Sequence, residues 1–418
     1  MDALNAPEAA SIRAIRATWC DLGNQIRAKA VHREGWASGF EVFIAAGAQG
    51  APATADMVLP ESGLTPVGEV ALVPDWSTLQ ALPYAPAHAR VLTDMHHRGQ
   101  PWSLCPRGFV RRQQERLHER HGLKLTAAFE NEFYLHHPDG SLVDESNFAS
   151  VYALNRSRPV LDELLEALVA QRMSVQQFHA EAGPGQFEVS IGHAEGLAAA
   201  DHQVALRETA HAVAERHGLR ANFLPKPFPA QAGSGCHLHL GLEGLAADDP
   251  RFRHFMAGIL QHLEALLAIT AGLPNSHQRL VPNSWSGAFR CWGIQNREAA
   301  LRLPASPGHF EVKAVDATAN PYLAMGAMIA CGLDGLDRRL ELPPGVESDP
   351  ATLPEADRPP RLPARAGQAL QALERDEVLA ESLGPDLHRA FLAVRRAEVA
   401  RLEELGPEGE VRLLAGRF

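Results

Sequence analysis

Two carboxylates stand two residues apart in the run AAFENEFYL, at Glu130 and Glu132. In an extended chain residues i and i+2 share a face, so this segment presents both acids to one side. Its neighbours Phe129, Phe133, Tyr134 and Leu135 mark a largely buried strand. Two buried carboxylates repel unless a cation or strong donors offset them, which points to a metal. Glu181 and Glu188 flank AGPGQF. On one regular strand that separation puts them on opposite faces. The Gly183-Pro184-Gly185 kink is expected to reset the parity and bring them to one side, the alternative being a plain hairpin turn. His237 and His239 form a second same-face pair, directly after Gly233-Ser234-Gly235. Such a glycine turn lets backbone approach a ligand closely. Imidazole with oxygen ligands suits Mg²⁺ or Mn²⁺, and the lack of clustered thiolates disfavours a zinc finger. Arg279, Arg297 and Arg302 add guanidinium groups suited to clamping phosphate or carboxylate, and Glu311 in HFEVKAVD closes the set. No nucleophile–base signature such as G-x-S-x-G accompanies them. The constellation points to metal-assisted phosphoryl chemistry, not acyl-enzyme chemistry.

The elements that must position these groups are strands mixed with helices. KLTAAFENEFYLHH, SVQQFHAEAGPGQFEVSIG and CHLHLGL read as strands, and TWCDLGNQIRAKAV as a hairpin around a Gly-Asn turn. VGEVALVPDW and ARVLTDM read as further strands of the first hundred residues. RGFVRRQQERLHERHG, SRPVLDELLEALVAQRM and Ala200–His217 read as helices. Asp249-Pro250 and Asn320-Pro321 supply N-cap and first-turn proline for two more, the first keeping one apolar period through Leu267. Residues 340–366 read as a Pro-rich acidic surface loop, followed by helix from Gly367 to about Leu405. The change in character around Trp102–Pro106 marks a domain boundary, giving 1–103 and 104–418. Without βαβ regularity the class is α+β with antiparallel sheets.

Composition excludes several classes. The 418 residues carry 39 Lys plus Arg against 50 Asp plus Glu, a net charge of −11, which argues against nucleic acid or an anionic membrane as partner. Only Lys29, Lys124, Lys226 and Lys313 are lysines, and two of these fall inside motif-like segments. The five cysteines are scattered with no C-x-x-C, as expected of reduced thiols. MDALNAPEAASIRAIRATW lacks the apolar core of a secretory signal, and the longest apolar run, Tyr322 to Leu336, contains Asp334. A cytoplasmic location is expected.

Taken in order, ENEFYL, EAGPGQFEVSIG, LPKPFPAQAGSGCHLHLGL, RLVPNSWSGAFRCWGIQNREAALRLP and HFEVKAVDATANPYLAMGAMIACGLDGL resemble the motifs of the glutamine synthetase family across essentially the whole chain. GAFRCWG and FEVKAVD are most similar to its divergent branch, the relatives of FluG and of plant nodulin-fusion proteins. The resemblance implies an N-terminal β-grasp domain and a catalytic domain of antiparallel sheet with flanking helices. It implies a two-metal, ATP-dependent ligase that phosphorylates the γ-carboxylate of glutamate before an amine displaces phosphate. Glu132, Glu181 and Glu188 would then hold one metal, and Glu130, His237 and Glu311 the metal bridging the ATP phosphates. Arg297 would stabilise the phosphoryl group. Arg302, His239 and Gln176 would face the nucleotide, Gln176 replacing a family glutamate. Arg279 would bind the substrate α-carboxylate, the backbone of Gly233 its amino group, and Lys313 would stand where the family has a second arginine. A ring-forming homo-oligomer, a dodecamer of two hexameric rings, is implied as well.

One departure concerns the nitrogen donor. Where ammonia-using members read RLVPGYE, this chain reads RLVPNSW, so Trp285 replaces a carboxylate that captures ammonium. The family's latch aspartate has no clear counterpart in ASGFEVFIAAG, and His309 and Ala232 also depart from the pattern. The expected activity is therefore a γ-glutamyl-amine ligase, with Trp285 packing an alkyl or cationic amine. An ammonium-using synthetase is the alternative. A non-catalytic oligomeric relative is a third reading, against which six retained metal ligands argue.

Overall fold

The computed structural model describes residues 11–305 and 308–418; the first ten residues of the stretch read for a signal lie outside them. The described residues build two sheets. The first contains β1 (Ala14–Cys20), β2 (Ile26–His32), β3 (Val42–Ala45), β4 (Glu69–Pro74), β5 (Gln80–Ala81), β6 (His88–His97) and β7 (Gln100–Pro101), with α1 (Arg33–Ala37) between β2 and β3. Its main order is β2-β1-β6-β4-β3. The expected hairpin is present, with Ala17 opposite Lys29. The pairing of β1 with β6 is parallel, so the expectation of purely antiparallel sheets is corrected here.

The second sheet is nine-stranded: β8 (Leu125–His136), β9 (Val175–Ala180), β10 (Gln186–Ile191), β11 (Ala194–Glu195), β12 (Arg220–Asn222), β13 (Cys236–Leu242), β14 (Phe289–Ile294), β15 (Ala299–Leu303) and β16 (Phe310–Val312). Its order is β14-β15-β16-β13-β8-β10-β9, antiparallel apart from β14 with β15. Helices α2 (Pro106–His121), α3 (Val151–Ala170), α4 (Gly196–Arg216), α5 (Pro250–Gln261), α6 (Leu263–Thr270), α7 (Pro274–Arg279) and α8 (Pro321–Arg338) precede the C-terminal α9 (Ala366–Arg375), α10 (Glu377–Leu383) and α11 (Pro385–Leu414).

Three helix boundaries differ from the sequence reading for local reasons. α3 starts before its proline, because Ser150 caps Ala153 and Pro159 is tolerated inside. The single helix expected after Asp249 is two, breaking at His262. Its apolar period runs through the break, which the imidazole of His262, bonded to Asp334 and Asp376, holds in place. α11 runs past Leu405 because the chain kinks at Gly406, φ 67°, and Pro407, then resumes the helix.

One apolar core runs continuously from the first sheet to the helices behind the second. Arg107 at the start of α2 ties the two parts. Its buried guanidinium donates to Asp94 and Asp75 on one side and to Asp201 of α4 on the other. The apolar body of α8 is buried as expected, and all five cysteines are buried and free. Among the described residues no helix is long and apolar enough to cross a membrane.

Candidate active site: a ladder of carboxylates and histidines

β8 lies in the interior of its sheet, which explains why its sequence is apolar on both faces. On one face Asn131 exchanges two hydrogen bonds of 2.7 Å with Gln203 of α4, and Phe133 stacks on Phe223. The other face carries the acids. Residues directly opposite across an antiparallel pair share a face, so register alone fixes the rest. Glu132 lies opposite Glu188 and Glu130 opposite His237. His239 lies opposite Glu311, Glu311 opposite Arg302, and His179 opposite Glu188. Residues distant in sequence thus form one polar ladder across six strands.

His237 is its centre. Nδ1 lies 3.0 Å from Glu130 Oε1 and 3.1 Å from Glu311 Oε1. Arg279 Nη2 lies 2.9 Å from Nε2 on the opposite side of the ring, so Nδ1 is the nitrogen that faces the carboxylates. Glu311 also takes Arg302 Nη1 at 2.7 Å and Lys313 Nζ at 3.0 Å. Burial would raise the Glu311 carboxyl, but Lys313 and His237 hold it well below the usual range. Burial likewise opposes the ionisation of Glu130, and hydrogen bonds with His237 and His239 outweigh it. For His237, burial and Lys313 lower the imidazole while Glu130 and Glu311 raise it, and the net shift is upward.

The second acidic group forms by a route other than the kinked strand. Residues 181–185 are the turn of a hairpin between β9 and β10, and Glu181 N–H donates to Gln186 O at 2.8 Å. Because the chain reverses, Glu181 and Glu188 fall on one face by pairing. The parity is not reset within a strand. Gly183 is required there, since a Cβ would meet Tyr134 Oη at 2.0 Å. His179 Nε2 lies 3.0 Å from Glu181 Oε1, and the ligand atoms of His179, Glu181 and Glu188 lie within 4.8 Å of one another. Glu132 is next to this group in register, but its Oε2 accepts Gly235 N–H at 2.9 Å and Gln186 Nε2 at 3.4 Å. Burial, with Glu130, Glu132 and Glu181 nearby, pushes the Glu188 carboxyl up to about 9. A divalent cation would relieve that crowding, and the oxygen-and-imidazole donor set fits a hard ion.

One orphaned donor points to an anion beside the ladder: Arg302 Nε is buried without a hydrogen-bond partner among the described residues, while His239 Nε2 lies 3.5 Å from Glu130 Oε2. His239 also sits within ring contact of His193 and His309, centroids 6.3 and 5.1 Å away.

Residues 103–413 match the glutamine synthetase catalytic domain. The chain belongs to the glutamine synthetase family. It is 32% identical to type-1 glutamine synthetase 1 of Dictyostelium discoideum, over 97% of this chain and 90% of that one. It is 38% identical to gamma-glutamylpolyamine synthetase GlnA3 of Streptomyces coelicolor, covering 82% and 80%. Among solved structures it is similar to the GmaS/ADP complex, with TM-score 0.88, 30% identity and 98% of each chain covered. Use of ATP and a divalent metal is the family expectation, and the two acidic groups above are candidate ion sites.

Within this glutamine synthetase fold, the ladder gathers Glu130, Glu132, Glu181, Glu188, His237, His239, Arg302, Glu311 and Lys313. Arg279 is buried beside it, donating also to Lys313 O and Val315 O. Gly233 packs on Arg279, where a Cβ would approach Cγ to 2.7 Å, and its carbonyl accepts Gln186 Nε2 at 3.0 Å. Lys226 donates to Gln231 O and pins the preceding loop. Gln176 falls in the bulge of β9, its amide against Gly192 and off the ladder register. Arg297 and Trp285 line an open cavity beyond β14, the guanidinium 5.8 Å from the indole centroid.

Sequence reasoning missed His179, His193, Gln186 and Glu298. His179-x-Glu181 is a same-face pair of the kind used for Glu130-x-Glu132, so that signal was available. Gln186 and Glu298 carry no local signal.

Proposed function

We propose that the chain is an ATP-dependent ligase that joins glutamate to an organic amine through a γ-glutamyl phosphate, forming a γ-glutamyl amide. A carboxylate is a poor electrophile, and phosphorylation gives it a leaving group that an amine can displace. Glu130, His237 and Glu311 would hold one divalent ion, Mg²⁺ or Mn²⁺, and Glu181 and Glu188 a second with Glu132 or His179. Bound there, such ions supply neutralisation of the charge on the ATP phosphates. Arg302 offers its orphaned Nε–H to nucleotide phosphate, with His239 beside it. Arg279 binds the α-carboxylate of glutamate beside Lys313, and the Gly233 carbonyl receives its amino group. Arg297 stabilises the phosphoryl in transfer.

The observation that carries the choice of amine is Trp285. It is 54% exposed over an open cavity, at the position where ammonium-using members carry a carboxylate. Ammonium is strongly hydrated, and here it would lose water without that counter-charge. An alkyl amine gains about 0.8 kcal/mol per buried methylene. The name of GlnA3, a gamma-glutamylpolyamine synthetase, supports the same direction. Phosphate release with glutamate, ATP, Mg²⁺ and a panel of alkyl, hydroxyalkyl and polyamine substrates, ammonium included, tests it. At least one amine should show a larger kcat/KM than ammonium. A preference for ammonium over every amine would return the chain to ordinary glutamine synthesis.

A further inference from the structure

The cavity beside Trp285 is built from three segments that the ladder does not use, the first being Asn283 and Trp285. Its volume is about 460 Å³. The second is the end of β14 and the turn after it, residues 294–298. The third is the strap at 346–349, which lies in the Pro-rich loop. Asn296 Nδ2 donates to Val346 O at 2.8 Å and to Ser348 O at 2.9 Å, and Val346 N–H donates to Trp292 O at 2.9 Å. Trp292 Nε1 donates to Pro343 O at 2.7 Å. The strap is therefore fixed in place by four hydrogen bonds.

Its charge is strongly one-sided. Glu298, Glu347 and Asp349 line the cavity, and among the described residues Arg297 is the only cation lining it. Glu347 is exposed and enters no ion pair among the described residues. Glu298 is the telling group, because it is only 7% exposed. Its Oε1 accepts Trp285 N–H at 2.9 Å, while its Oε2 is buried with no partner among the described residues. A buried carboxylate oxygen left unsatisfied is costly unless a donor arrives. Trp285 itself is held at φ 56°, a backbone region that bulky residues rarely adopt. The bond to Glu298 thus pins a strained aromatic at the cavity wall.

Resting on the reading of the chain as an amine ligase, we propose that this cavity is the subsite for the second, non-reacting ammonium of a diamine or polyamine. Glu298 is its buried counter-charge, and Glu347 and Asp349 form an acidic outer wall. The Trp285 ring covers the methylene chain between the two nitrogens, as an indole face does for cations and alkyl groups. The far ammonium stays protonated, so only the near nitrogen is consumed by the reaction.

The test compares 1,4-diaminobutane with butylamine at saturating glutamate, ATP and Mg²⁺. Wild type should favour the diamine in kcat/KM by about tenfold or more, the worth of one charge-assisted hydrogen bond. Glu298→Gln, and separately the rim double variant Glu347→Gln with Asp349→Asn, should each reduce that ratio. A purely structural role would lower both substrates together and leave the ratio unchanged, which would overturn the proposal. The rim variant changes exposed or half-exposed groups only, so the test does not depend on the buried one folding. If wild type accepts ammonium alone, the ligase reading fails separately, and calorimetric binding of 1,4-diaminobutane decides the subsite. Binding weakened in the rim variant supports it, and absent binding in wild type overturns it.

Discussion

Glu132 and Glu188 stand directly opposite each other on β8 and β10, two carboxylates on adjacent strands of one sheet face. Opposed like charges on a sheet destabilise it. Glu132 is compensated by Gly235 and Gln186, whereas among the described residues Glu188 has only the Ser190 hydroxyl, 3.2 Å away, and the His179 ring, Nδ1 3.7 Å away. The imbalance between these two acids sets the first prediction.

Without divalent metal the fold should lose stability as pH rises. The Glu188 pKa is raised to about 9 in the folded chain from an ordinary 4.5. The folded state then holds a proton that the unfolded state has released, so stability falls between pH 4.5 and 9. His237, also raised, acts in the same direction above its unfolded value of 6.5. Thermal unfolding in chelator should show Tm declining from acid to alkaline pH, with Mg²⁺ or Mn²⁺ restoring more at the alkaline end. Glu188→Gln should flatten the slope. An unchanged slope would mean that another group titrates.

Glu130→Ala and His237→Ala should abolish phosphoryl transfer, by at least about a hundredfold in phosphate release. Either variant within a few-fold of wild type removes that residue from the ion site.

Trp285→Glu should move the preference towards ammonium by restoring a carboxylate at that position. Recovery should be partial, because the latch aspartate is also missing. Trp285→Ala should lower kcat/KM for alkyl amines by about threefold to tenfold, the size of one aromatic contact with a cation or chain. Equal losses for ammonium and alkyl amines would make Trp285 a packing residue.

Gly183→Ala should cost about 1–3 kcal/mol in chemical denaturation, because the new methyl clashes with the Tyr134 hydroxyl. Activity should fall with it, since the same turn places Glu181. Tyr134→Phe in the Gly183→Ala background should recover part of the stability, as it removes the nearest atom of the clash.

A ring-forming homo-oligomer, most simply a dodecamer, is the expected assembly. Phe40, Phe43 and Val67 are exposed in and around β3 and β4 of the first sheet. An active monomer by light scattering would refute this.

The ladder was legible because side-chain direction along a strand is a local property. Glu130 with Glu132 and His237 with His239 follow from a period of two. Which strands meet was not legible, since partners such as β8 and β13 lie about a hundred residues apart and pairing is decided by the whole core. The parallel contact of β1 with β6 was missed for that reason, whereas β14 and β15, only four residues apart, were not read as strands at all. The Glu181–Glu188 pair came out on one face for a different cause, because a glycine turn can bend a strand or reverse it and the sequence is the same. Glu298 stayed hidden in NREAALRLP, where only the returning loop shows that its carboxylate is enclosed.

The strap at 346–349 carries a consequence for how this enzyme can change. The acid-activating groups are fixed by strand register, where a slip of one residue would turn every ladder side chain to the other face. The cavity beside Trp285 is walled, Ile294 apart, by turns and a loop, whose side chains can be exchanged without disturbing a strand pair. Chemistry and choice of nucleophile are thus recorded in different kinds of backbone. New amines can be accepted by rewriting a few loop positions, while the machinery that makes the carboxylate reactive stays untouched.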